Sequence, residues 1–105
     1  MMITTEVVDT VKGAAAVRLP VELDMFITGH GWKQIGQGLT NLEGRIDDFF
    51  EAAAPGFYRL NYDAASYDAN TFFPSIAVMF EVKDPAEPHH VVLTLSPFGY
   101  STYRG

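Results

Sequence analysis

The 105-residue chain contains no cysteine. Disulfide scaffolds, thiolate nucleophiles and cysteine-ligated zinc are therefore excluded together, and nothing requires an oxidising compartment, so a cytoplasmic location is expected. Positive charge is scarce: 7 Lys and Arg stand against 13 Asp and Glu, a formal net charge of -6. Such a surface repels phosphate backbones and anionic lipid, which argues against nucleic acid or a membrane as partner. Long apolar runs are missing too. Hydrophobic residues make up 48% of the chain, too evenly interrupted for a membrane span and too abundant for a disordered segment. The opening MMITTEVVDT has no basic stretch followed by an apolar core, so no signal peptide is expected. The length suffices for one hydrophobic core and not two, so residues 1–105 read as a single domain.

What is present is short apolar segments, mostly of period two, punctuated by Gly, Pro, Asn and Asp. Strands are predicted over Ile3 to Asp9, Val21 to Thr28, Trp32 to Thr40, Phe57 to Tyr62, Ile76 to Lys83, Val91 to Leu95 and Tyr100 to Arg104. Gly29, His30 and Gly31 turn the second into the third as a hairpin, and Gly36 and Gly38 suggest a bulge there. Ile46 to Ala54 is ambiguous. Its Ile46, Phe49, Phe50 and Ala53 recur at helical spacing before Pro55-Gly56, although a strand end followed by a polar loop fits as well. Asp63 to Ala69 reads as one short helix capped by Asp63. Seven or eight short strands with one brief helix argue for an all-β fold, an antiparallel β-sandwich. Phe98, Tyr100 and Tyr103 either fill its core or mark a subunit interface.

Residue chemistry narrows the function less than the fold. His89 and His90 are adjacent near a strand start, so they point to opposite faces and at most one serves a given site. No histidine lies two or four positions from another and no HExxH occurs, so no metal site is expected. No GxSxG elbow supports a serine nucleophile, and Gly29 to Gly38 lacks the phosphate-binding GxxxxGK[ST] pattern. Asp47, Asp48 and Glu51 read as a solvated acidic face.

The C-terminal run from His90 to Gly105, HVVLTLSPFGYSTYRG, resembles the signature ending of the transthyretin-related 5-hydroxyisourate hydrolases. TTEVVDT (Thr4 to Thr10), TNLEGRI (Thr40 to Ile46), YRLNYD (Tyr58 to Asp63) and FFPSI (Phe72 to Ile76) follow in that family's order. The resemblance implies a transthyretin-like fold of two facing sheets with one short helix, four identical subunits, and active sites in a channel where dimers meet. It further implies hydrolytic opening of the six-membered ring of 5-hydroxyisourate in urate breakdown, with no cofactor.

By the same resemblance His90 matches a histidine suited to positioning or deprotonating water. Arg45 matches an arginine suited to an anionic substrate and a developing oxyanion. Tyr103, Arg104 and Gly105 match the first three residues of a terminal YRGS motif and are assigned to substrate binding. Glu6 stands where the family has histidine, and His89 and Val92 stand where tyrosine and proline are common. A carboxylate at Glu6 admits three roles: a replacement base, an ion-pair partner of Arg45 or Arg104 in a site with altered specificity for a related cyclic amide, or the mark of a small-molecule-binding role without catalysis.

Overall fold

The computed structural model describes residues 2–52 and 54–105. Among them nine strands and one helical turn form two facing sheets. The first sheet contains β1 (Met2–Asp9), β2 (Ala14–Ala15), β5 (Arg45–Glu51), β8 (His89–Ser96) and β9 (Gly99–Arg104). Its path runs β2-β1-β8-β9, with β5 pairing the first part of β1. The second is β4 (Gly31–Leu39), β3 (Pro20–Ile27), β6 (Gly56–Tyr62) and β7 (Ile76–Val82) in that order.

Alternation builds the core. Ile3, Val7, Leu93 and Leu95 from the first sheet meet Val21, Leu23, Tyr58, Leu60 and Tyr62 from the second, all buried. Fully burying one such leucine contributes about 1.5–3 kcal/mol. Helix α1 (Ala64–Tyr67) is shorter than the sequence suggested, but its cap is Asp63, whose side chain accepts from Ser66 N at 3.2 Å. The β3–β4 hairpin carries its bulge beside Gly36, where Leu23 faces Gly36 and Asp24 faces Gln34.

One open alternative is settled and two expectations need correction. Arg45 to Glu51 is a strand with no helical turn, and Ala53 lies outside the described residues. The misleading spacing comes from a bulge: Ile3 pairs with Phe50 and Thr5 with Ile46, so two steps along β1 span four along β5. With β5 and the two-residue β2 counted, the strands number nine, beyond the seven or eight expected. The sandwich is also not wholly antiparallel, because β1 and β8 run parallel from Ile3/His89 to Asp9/Leu95. Periodicity reports which face a residue takes and carries no strand direction. Phe98, Tyr100 and Tyr103, at 80%, 44% and 58% exposure, lie at the surface and do not fill the core.

Candidate active site

The pairing of β1 with β5 and β8 assembles the candidate residues on the outer face of the first sheet. In β1 the odd positions Ile3, Thr5, Val7 and Asp9 are buried, so Thr4 and Glu6 point outward. In β8 His89 is buried and His90 points outward, as expected of adjacent strand residues. Register sets Thr4 beside His90 and Glu6 beside Val92, which brings the imidazole between the two β1 side chains. Thr4 Oγ1 lies 2.7 Å from His90 Nδ1, and Glu6 Oε1 lies 3.3 Å from His90 Nε2.

Arg45 reaches the same face from the other side of β1, as the cross-strand partner of Glu6. A tight turn delivers it: the Asn41 side chain accepts from Glu43 N at 3.0 Å and Arg45 N at 2.9 Å. Gly44 has φ +76°, and a Cβ there would stand 2.5 Å from Val7 O, so only glycine fits the approach. The guanidinium Nε donates to Asp47 Oδ1 at 2.9 Å. Among the described residues, then, Glu6 pairs with His90 and not with Arg45 or Arg104.

The C-terminal trio divides between the two faces. Tyr103 is the partner of Val92 and shares the outer face. Gly105 donates its N–H to His90 O at 2.8 Å and lies against the imidazole, where an added Cβ would be 2.7 Å from His90 Cδ2. Arg104 is the partner of Val91 and points to the opposite side, donating to Pro88 O at 3.1 Å and lying 3.5 Å from Glu87 Oε2. There it lines a cavity of about 220 Å³ to which His89, His90, Thr102 and Tyr103 also contribute. The structure therefore gathers Glu6, Arg45, His90, Tyr103 and Gly105 on the outer face and sets Arg104 on the other side of β9, at a cavity it shares with His90 and Tyr103.

Two contributors were absent from the sequence reading. Thr4 shares the face of Glu6 by its two-residue spacing, but its partner His90 is 86 positions away. Asp47 is exposed, as a solvated acidic face requires, and also accepts from Arg45; on a strand their two-residue spacing puts both on one face. Directly behind the face, Thr5 donates to Val91 O at 2.8 Å and meets Tyr62 Oη at 2.7 Å. Burial pushes the Tyr62 hydroxyl well above the ordinary tyrosine range, against the opposing bond to Thr5. A carboxylate touching an imidazole, with a guanidinium across one strand, equips this face for proton transfer and for holding negative charge.

Residues 3–105 match the family described as HIUase/Transthyretin. The chain belongs to that family. Among its relatives, the uric acid degradation bifunctional protein TTL of Arabidopsis thaliana is 37% identical across 98% of this chain, which spans 36% of that larger protein. The 5-hydroxyisourate hydrolase of Salmonella typhi is 37% identical over 99% of this chain and 80% of its own length. The solved structure of Klebsiella pneumoniae 5-hydroxyisourate hydrolase superposes with a TM-score of 0.86 at 26% identity, covering 100% of this chain and 99% of that one. The transthyretin-like fold implied by the sequence is thus the fold observed.

Proposed function

We propose that this protein hydrolyses 5-hydroxyisourate, opening its six-membered cyclic amide in urate degradation. The observation that carries the reading is the outward cluster of Glu6, His90 and Arg45 on three neighbouring strands, in a chain similar to named 5-hydroxyisourate hydrolases. Water adds to a ring carbonyl, negative charge collects on the carbonyl oxygen, and the ring C–N bond breaks as the departing nitrogen takes a proton. The Glu6–His90 pair serves the proton transfers. Arg45 holds the anionic substrate and the oxyanion, an electrostatic role that suits a fixed guanidinium. Tyr103 and Gly105 border the substrate. These groups supply base, acid and cation themselves, so the reaction is proposed without a cofactor or metal.

The proposal includes a cytoplasmic homotetramer of one domain per chain. Exposed Phe98, Tyr100 and Tyr103 beside the outer edge strand β9 support an assembly that covers them. A second reading, a related cyclic amide as substrate, is favoured by Glu6 and Asp47, which add negative charge around an anion-binding site. The deciding experiment generates 5-hydroxyisourate in situ with uricase and follows its decay. Decay accelerating in proportion to added protein establishes the hydrolase. Decay at the spontaneous rate from a folded, tetrameric sample moves the assignment to another ring substrate or to ligand binding.

A further inference from the structure

The donor and acceptor count around His90 assigns the proton-transfer roles more narrowly. An ionised carboxylate only accepts hydrogen bonds, so the contact of Glu6 Oε1 with His90 Nε2 requires a proton on Nε2. A neutral imidazole then has its one lone pair on Nδ1. That atom is occupied, because Thr4 Oγ1 sits 2.7 Å away with its hydroxyl free to donate. In the imidazolium form both ring nitrogens are donors, and the same two partners accept from them. In either charge state His90 turns no basic lone pair toward solvent. The Glu6 side chain is 32% exposed, and its second oxygen, Oε2, has no partner among the described residues.

We infer that Thr4 is a positioning residue that engages His90 Nδ1 while Glu6 keeps the ring proton on Nε2, so that Glu6 through Oε2, and not His90, removes the proton from the attacking water. This rests on the hydrolase reading above. In the step, the water oxygen bonds to the ring carbonyl carbon while one water proton passes to Glu6 Oε2. The carboxylic acid so formed returns that proton to the ring nitrogen as the C–N bond breaks, which restores the carboxylate. His90 stays protonated on Nε2 throughout and holds the carboxylate in line. The groups facing Glu6 are His90 from β8, Tyr103 from β9, and Arg45 and Asp47 from β5, with Asp48 and Glu51 exposed further along β5.

The test combines kinetics with ¹⁵N spectra of the histidine rings. Wild-type protein is expected to show His90 protonated on Nε2, and Glu6→Gln to lose about 10² to 10⁴-fold in kcat, the scale of a general base. Thr4→Val is expected to leave the proton on Nε2, to shift the ¹⁵N signal of an Nδ1 that has lost its hydrogen bond, and to give about a tenfold lower kcat with KM nearly unchanged, a loss on the scale of a misaligned catalytic group. Thr4→Ser should restore both. Glu6→His should move the acid limb of the kcat/KM profile upward, toward the imidazole range. A wild-type His90 bare at Nε2, or a Glu6→Gln enzyme within a few-fold of wild type, overturns the assignment. If wild-type protein turns over no 5-hydroxyisourate, the proposed function and the role of Glu6 as base fall together, while the ¹⁵N spectra of wild type and Thr4→Val still decide the Thr4 contact.

Discussion

Glu6 and Arg45 face each other as cross-strand partners, yet each bonds away from the other: the carboxylate to His90 Nε2 at 3.3 Å, the guanidinium to Asp47 at 2.9 Å. The arrangement leaves Arg45 loosely held, because its ion pair is exposed at 45% and 52% and such pairs contribute about 0–1 kcal/mol. An anionic substrate therefore competes with Asp47 for the same guanidinium. Asp47→Asn is expected to lower KM a few-fold with little change in melting temperature. Arg45→Lys, which loses the planar fork, should cost about 10² to 10³-fold in kcat/KM, the scale of an oxyanion donor. Steady-state kinetics on both variants check this, and unchanged kinetics in Arg45→Lys would remove Arg45 from the site.

Gly105 supports the imidazole from just beyond β9. A methyl group there would lie 2.7 Å from His90 Cδ2 and 3.1 Å from Val92 Cγ2, so Gly105→Ala must displace the ring or its own backbone. Displacement on the ångström scale in a catalytic group costs up to about 10²-fold in rate. Gly105 is exposed and lies outside the strands, so the change in stability should stay within about 0.5 kcal/mol. Turnover and thermal unfolding measured on the same samples separate the two. A destabilised protein with normal kcat would contradict the placement.

His89 and His90 should respond in opposite ways. His89 is 6% exposed, faces the cavity beside Arg104, and its Nδ1 has no partner among the described residues. A buried polar atom without a partner costs about 1–3 kcal/mol, so His89→Leu should hold or raise the melting temperature. Because the side chain sits behind the sheet, kcat/KM should stay within about twofold, inside the small effects usual away from a site. A large kinetic loss in His89→Leu would mean that chemistry occurs on the inner side.

Much of this was legible from the sequence, for definite reasons. Period two located Phe57 to Tyr62 and Ile76 to Val82 because both strands bury alternate residues against one core. It left Arg45 to Glu51 open between helix and strand, because the bulge there turns a spacing of two into three and four. The site divided along the same line. His90, Arg45 and Glu6 stood out through motif resemblance, but the contact of Glu6 with His90 depends on a parallel β1–β8 pairing and the placement of Arg45 on the β1–β5 pairing, neither of which a local pattern encodes. Alternation sends Tyr103 and Arg104 to opposite faces of β9, yet both line one cavity with His90, a proximity that no local pattern encodes.

The Thr5–Tyr62 pair carries the last prediction, since it fixes β1 against the opposite sheet directly behind Thr4 and Glu6. Thr5 gives its proton to Val91 O, so the Tyr62 hydroxyl must be the donor to Thr5 Oγ1. Tyr62→Phe removes one neutral hydrogen bond, about 0.5–1.5 kcal/mol, and leaves Thr5 bonded to Val91. Thr5→Val strands a fully buried Tyr62 hydroxyl and should cost more, about 1–3 kcal/mol. Ionisation adds a pH test. Burial raises the folded-state pKa of Tyr62 and, together with the hydrogen bond to Asp9, pushes that of Tyr67 up to about 12. A raised tyrosine favours the neutral form in the fold, so its contribution is complete below about pH 10 and is lost as the pH rises beyond that. Wild-type stability should therefore decline from about pH 10 upward, and Tyr62→Phe should decline less steeply. Urea unfolding from pH 8 to pH 11 measures both. Parallel slopes in the two proteins would show that Tyr62 ionises as readily folded as unfolded, and the buried donor to Thr5 would then have to be abandoned.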